Sequence, residues 1–324
     1  MTTRALVTGA GGFIGSHLVR RLKDRGSWVR GVDIKVPSWS RSAADEWRTL
    51  DLRDYGNAAQ AVRDVDLVFA LAADMGGMGY ISQNHFEILT NNALINLSTA
   101  RAAQMYGIRR LLFTSSACVY PEDLQMGDDE APMLREDDAW AGKADTAYGV
   151  EKLMSEEVYL RLAEDTNTQV RLARFHNIFG PEGSWCDGRE KAPAAMMRKA
   201  AEAALNGTNQ IEVWGDGMAL RSFCYIDDCL EMLLRLMASD YEQPLNIGTD
   251  RAVTINELAK IAAGCAGIDG VELVHVPGPQ GVRGRNADLT KMRRVLGYEP
   301  QVSLEDGIAQ TYDWIYGQAR DANE

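Results

Sequence analysis

Positive charge is in short supply in this sequence. Its 34 lysines and arginines face 46 aspartates and glutamates, a formal net charge of −12, so nucleic acid and anionic membrane would be repelled over most of the surface. Any phosphate it binds must be met by local arginine, lysine and backbone N–H groups. No apolar run approaches the roughly 20 residues that a membrane span needs. The opening MTTRALVTG passes straight into an apolar segment, which leads to the expectation of a cytoplasmic chain without a signal peptide. The five cysteines, Cys118, Cys186, Cys224, Cys229 and Cys265, include no CxxC pair and no cluster with histidine at metal-ligand spacing, so reduced thiols are expected and a metal is not. Internal repeats and low-complexity segments are also missing.

What is present points to a nucleotide-binding α/β enzyme. With 46% hydrophobic and 25% charged residues over 324 positions, the chain can bury a full core. Residues 4–33 read as a short apolar run ending at Thr8, a turn holding Gly9, Gly12 and Gly15, a helical pattern through Leu18 and Leu22, and a second apolar run closing on Asp33. Strand, glycine turn, helix and strand in that order suit a dinucleotide. The glycines let the chain turn and a pyrophosphate approach, and the free N–H groups of the helix start face the phosphates. Asp33 stands where a carboxylate accepts hydrogen bonds from a ribose and would repel a 2′-phosphate, so NAD is expected over NADP.

Further along, residues 55–62 and 86–105 carry helical patterns, and residues 66–74 form a continuous apolar run of the kind found in a strand buried on both faces. The stretch MGGMGY, from Met75 to Tyr80, is too rich in glycine for a helix interior. A strand beginning at Arg109 breaks into polar residues at Ser115, which puts Ser116 and Cys118 beyond a strand's carboxyl end, where open α/β sheets bind ligands. Tyr148 and Lys152 are four residues apart on a helical pattern reaching about Glu164, so they share a face. An ammonium beside the phenol is expected to lower its pKa toward a general base's range, with Ser116 sharing the substrate hydroxyl. Alternating strands and helices up to Arg174 predict a Rossmann-type, doubly wound parallel sheet over residues 1–175. Residues 176–324 are expected to form a smaller, partly discontinuous substrate domain, some of whose segments return to the first. It has a helix starting near Pro193 and arginines in its loops, among them Arg221, Arg283 and Arg285.

MGGMGY, TSSACVYP, RFHNIFGPEGSW, GREKAPAAMMRKA, WGDG followed by RSF, and GPQGVRGRN together resemble the GDP-mannose 3,5-epimerases, a branch of the extended short-chain dehydrogenase/reductases. The likeness runs over nearly the whole chain, and REKAPAA and the cysteine two places after Ser116 are its most discriminating marks. It implies that Tyr148, with Lys152 and Ser116, takes the C4 hydroxyl proton while hydride goes to NAD, and that Cys118 and Lys191 are the acid/base pair acting at C3 and C5. It implies cofactor contacts at Phe13, Ile14, Asp51, Leu52, Leu71 and Ala73. Sugar-nucleotide contacts are implied at Gly79, Asn177, Glu190, Ala192, Lys199, Arg221, Arg283 and Arg285, besides Ser116, Cys118 and Lys191. It further implies a homodimer through the helices that start near Phe86 and Tyr148. Plant members carry glutamine and threonine where this chain has Ala219 and Leu220, which removes a polar contact and bears on the substrate more than on the mechanism. The alternative is another GDP-sugar, a heptose or octose, or a single-site epimerisation on the same scaffold. A dehydratase is disfavoured, because Ala117 and Cys118 stand where its Asp-Glu pair would be. A non-catalytic NAD-binding protein would be expected to have lost Tyr148 or Lys152.

Overall fold

The structure is a computed structural model describing residues 2–127, 131–279 and 281–323. Gln280 of the GPQGVRGRN stretch lies outside the described residues. Seven parallel strands form the main sheet: β1 (Arg4–Thr8), β2 (Trp28–Asp33), β3 (Glu46–Thr49), β4 (Leu67–Ala70), β5 (Arg110–Ser116), β6 (Gln169–Phe175) and β7 (Pro244–Ile247). Their order across the sheet is β7-β6-β5-β4-β1-β2-β3, with every pairing parallel. The direction of winding reverses between β1 and β4, which is where a doubly wound sheet opens a crevice at its carboxyl edge.

Six helices matter for the site: α1 (Phe13–Asp24), α2 (Tyr55–Val62), α3 (Met78–Ile81), α4 (His85–Met105), α5 (Ala147–Asp165) and α6 (Ala192–Asn206). Buried apolar residues fill both faces of the sheet. Leu18, Val19 and Leu22 of α1 lie in the cluster on one face, and Ala100, Ala102, Ala103 and Tyr159 of α4 and α5 in that on the other. Past Phe175 the chain leaves the main sheet and comes back as β7 beside β6. A second, four-stranded sheet includes Leu220–Ser222 and Gly284–Ala287.

Two local expectations are corrected. The apolar run of residues 66–74 is strand only over Leu67–Ala70. The Thr8 hydroxyl accepts from the N–H groups of Leu71 and Ala72, each at 3.1 Å, so a side chain replaces the ladder there and turns the chain toward the crevice. MGGMGY does hold one helical turn, α3, which starts after Gly77 because that residue is in extended conformation and the Tyr80 and Ile81 N–H groups donate back to its carbonyl at 3.0 Å.

Candidate active site

A cleft of about 1380 Å³ runs along the carboxyl edge of the main sheet and under the second sheet. At one end lies the glycine turn. Gly9 has φ +69°, and a Cβ on Gly11 would meet the Lys35 carbonyl oxygen at 2.1 Å, while one on Gly15 would meet that of Gly9 at 2.0 Å. No side chain caps α1 at Gly12, and a helix start left so offers its first N–H groups to an anion. Asp33, at the end of β2, accepts from the Gly11 N–H at 2.9 Å, which fixes its carboxylate beside the turn. Phe13, Ile14, Asp51, Leu52, Leu71 and Ala73 line the same end, and Asp51 is ion-paired with Arg53 at 2.6 Å. A cradle that tolerates no Cβ, an uncapped helix start and a fixed carboxylate fit a dinucleotide.

Mid-cleft, Ser116 closes β5, and its hydroxyl accepts from the Cys118 N–H at 3.2 Å, shaping the tight turn that carries the thiol. Tyr148 and Lys152 stand on the first turns of α5, capped by Thr146, whose hydroxyl accepts from the Gly149 N–H at 3.1 Å. Gly149 is required there, because a Cβ would sit 1.9 Å from the Cys118 carbonyl oxygen. The start of α5 is therefore pressed onto the cysteine's turn.

The Lys152 Nζ donates to the Thr114 carbonyl at 3.0 Å and lies over the tyrosine ring, 5.6 Å from its centroid. Burial, then the neighbouring Cys118 and Glu151, push the Tyr148 hydroxyl well above its ordinary range, against a hydrogen bond from Ser116 that draws it down. Burial likewise pushes the Lys152 ammonium down, opposed by Glu151 and Glu156.

Lys191 is the N-cap residue of α6. Burial lowers its pKa, and the groups opposing that shift are the Cys118 and Cys229 thiols rather than carboxylates. The Cys118 thiol is pushed up, first by burial and then by Asp145, with Arg285 and Ser116 pulling it back. Gly79, Asn177, Glu190, Ala192, Lys199, Arg221 and Arg285 line the cleft with them. Asn177 holds φ +45°, a left-handed conformation that asparagine tolerates, and its amide donates to the Ser222 carbonyl at 2.9 Å. Arg221 donates to the carbonyls of Leu220, Arg283 and Val282. Burial and nearby Arg285 bring its pKa to about 9. A half-buried guanidinium held by carbonyls suits an anionic ligand.

Arg283 forms an ion pair at 2.9 Å with Asp216, which itself lines the cleft. Among the lining residues that sequence reasoning did not assign to the site are Asp74, Gly77, Asp145 and Arg189. Arg189 stacks over Tyr80 at 3.9 Å and pairs with Asp74 at 3.3 Å. The Gly77 N–H donates to the Arg189 carbonyl at 2.9 Å, and a Cβ on Gly77 would lie 2.2 Å from the Glu190 carbonyl oxygen. MGGMGY and GREK, more than a hundred residues apart, are thus interlocked, and Gly77 was the available signal.

The chain belongs to the NAD dependent epimerase/dehydratase family, which it matches over residues 5–248. Among its relatives, GDP-mannose 3,5-epimerase 1 of Oryza sativa subsp. indica is 44% identical over 317 residues, 97% of this chain and 82% of that protein. A UDP-glucose 4-epimerase from Thermotoga maritima, solved with UDP-glucose, superposes with a TM-score of 0.85 at 26% identity, covering 99% of this chain and 100% of that one. MoeE5, solved in complex with UDP-glucose and NAD, has a TM-score of 0.80 at 29% identity over 99% of this chain and 100% of its own.

Proposed function

We propose that this chain epimerises GDP-mannose at C3 and C5 through a transient 4-keto sugar, giving GDP-L-galactose and GDP-L-gulose. The observation that carries the reading is one cleft holding the glycine turn, the Tyr148–Lys152 pair and the Cys118–Lys191 pair, in a chain 44% identical to a GDP-mannose 3,5-epimerase. NAD, held by the glycine cradle and Asp33, would supply the hydride acceptor and donor for C4 that no side chain can, with no net redox change.

The chain's own residues do the rest. Tyr148 is the group placed to take the C4 hydroxyl proton, Ser116 orients that hydroxyl, and the positive charges of Lys152, fixed by Thr114 over the tyrosine ring, and of NAD when bound would favour the phenolate against the burial that opposes it. The 4-keto group acidifies the hydrogens on C3 and C5. Cys118 and Lys191 then remove and return protons there, one on each face of the ring. Burial lowers the pKa of the lysine and raises that of the thiol, which favours the lysine as the proton acceptor and the thiol as the donor. Arg221 meets the diphosphate, with Lys199, Glu190, Asn177, Gly79, Ala192 and Arg285 forming the rest of the sugar-nucleotide pocket.

On this reading residues 1–175 hold the cofactor and residues 176–324 hold mainly the sugar nucleotide, with β7 returning to the main sheet. A homodimer is supported by the exposed Leu94 and Leu97 on α4 and Val150 and Met154 on α5, helices that pack together. A cytoplasmic location is supported by five unpaired thiols.

The test is incubation with GDP-mannose in heavy water. Wild-type protein should incorporate deuterium at C3 and C5. Cys118→Ala and Lys191→Ala should each lose epimerised product by about 100-fold or more, the scale of a positioned acid or base, while still reducing bound NAD. Exchange and epimerisation by both variants at near wild-type rate would make Cys118 and Lys191 structural and overturn the assignment.

A further inference from the structure

We propose that Asp145 and Gln125 are positioning residues for the Cys118 thiol: together they hold the Arg285 guanidinium so that one of its N–H groups is aimed at Sγ. The proposal builds on the acid/base role given to Cys118 above and assigns what sets that role up.

Arg285 lies on the strand Gly284–Ala287 and is buried. Its Nη1 is 3.4 Å from Cys118 Sγ, its Nε donates to Gln125 Oε1 at 2.6 Å, and its Nη2 is ion-paired with Asp145. All three of its nitrogens are engaged by protein. Each holder is itself held. The Gln125 Nε2 donates to the carbonyls of Tyr120 and Pro121 at 3.1 and 3.0 Å, so its acceptor oxygen must be the atom that faces Arg285. Asp145 accepts from the Thr146 hydroxyl at 2.9 Å, and Thr146 caps the helix carrying Tyr148 and Lys152. The acid/base thiol and the tyrosine that takes the C4 hydroxyl proton are therefore referenced to the same helix start.

This arrangement divides the work of the two cleft arginines. Among the described residues Arg221 is hydrogen-bonded to carbonyl oxygens and has no carboxylate in an ion pair, which leaves its charge for the diphosphate, whereas Arg285 is paired with a buried carboxylate and faces sulfur. The groups facing Cys118 are Asp145 from the segment before α5, Tyr148 from α5, Lys191 at the start of α6, and Arg221 and Arg285 from the second sheet. Of these, Asp145 disfavours the thiolate and Arg285 favours it. Removing one charge of the pair should shift the thiol in the direction opposite to removing the other, a signature that mere loss of packing would not produce.

The experiment follows the pH dependence of iodoacetamide alkylation at Cys118, read by mass spectrometry of its peptide in folded, NAD-loaded protein. Asp145→Asn should lower the midpoint and Arg285→Met should raise it, each by about one pH unit, the low end of the range for a charge a few ångströms away. Gln125→Glu, which keeps shape and adds negative charge beside the guanidinium, should raise it too and covers the case in which Arg285→Met fails to fold. Midpoints that stay put, or that move the same way for Asp145→Asn and for Arg285→Met or Gln125→Glu, overturn the proposal. Opposite shifts support it, and the pH profile of epimerisation then judges the reading beneath it. If the profile moves with the alkylation midpoint, Cys118 is an acid/base group; if the profile stays fixed, the Asp145–Arg285–Cys118 coupling stands and the catalytic role of the thiol falls.

Discussion

Replacing Gly77 with alanine should cripple turnover without touching a catalytic group. The backbone there, φ −72° and ψ 178°, is one that alanine adopts freely, so the whole effect comes from contact. The added Cβ would sit 2.2 Å from the Glu190 carbonyl oxygen, where ordinary contact begins at 3.4 Å. One of the two backbones must retreat by the difference, 3.4 − 2.2, or about 1.2 Å. Overpacking of that kind costs about 1–3 kcal/mol of stability. Glu190 directly precedes Lys191, the N-cap of α6, so the retreat carries the proposed proton carrier with it. A misplacement of about 1 Å can lower a rate about 100-fold, which corresponds to about 2.7 kcal/mol in the barrier. The glycine turn lies at the other end of the cleft, so NAD content should hold. Epimerisation kcat, bound NAD and the melting temperature should be measured on the same preparation. A folded, NAD-loaded Gly77→Ala protein that turns over within about threefold of wild type would show that the interlock does not position Lys191 and would refute the reasoning, since a 1 Å shift should cost about 100-fold.

Two other changes probe the remaining parts of the cleft. Tyr148→Phe should reduce turnover to a few per cent or less, roughly the floor for losing a general base, with NAD binding nearly intact; substantial residual epimerisation by the purified variant would remove Tyr148 from the chemistry. Asp33→Asn should weaken NAD by about 10-fold or more, the scale of one hydrogen bond to a charged group, and narrow the preference over NADP; titrating both dinucleotides by calorimetry would expose the error if the ratio did not change.

The parts of this protein that a reader could take from its sequence are those whose causes are local along the chain. The glycine turn is legible because a backbone that admits no Cβ at Gly11 and Gly15 leaves glycine as the residue that fits. Tyr148 and Lys152 are legible because helical spacing alone puts them on one face, and the start of α6 because Pro193 suits a helix's first turn. The course of β1–α1–β2 follows from the same short-range periodicities. Contacts between distant segments obey no such rule and were decided by the tertiary structure. Arg283 and Arg285, two residues apart, would share a face if one strand held both, yet the strand begins at Gly284, and Arg285 meets Cys118 while Arg283 pairs with Asp216. Helical spacing brings Lys152 beside Tyr148, and the fold adds the Thr114 carbonyl of β5 that fixes its ammonium there. Asp145 looks like an ordinary loop acid until the second sheet brings Arg285 against it, and Gly77 like an ordinary loop glycine until Glu190 is laid across it. Pattern along the chain says which residue types are available; which of them meet depends on how two sheets close over one cleft, because burial, charge and contact act through space rather than along the backbone.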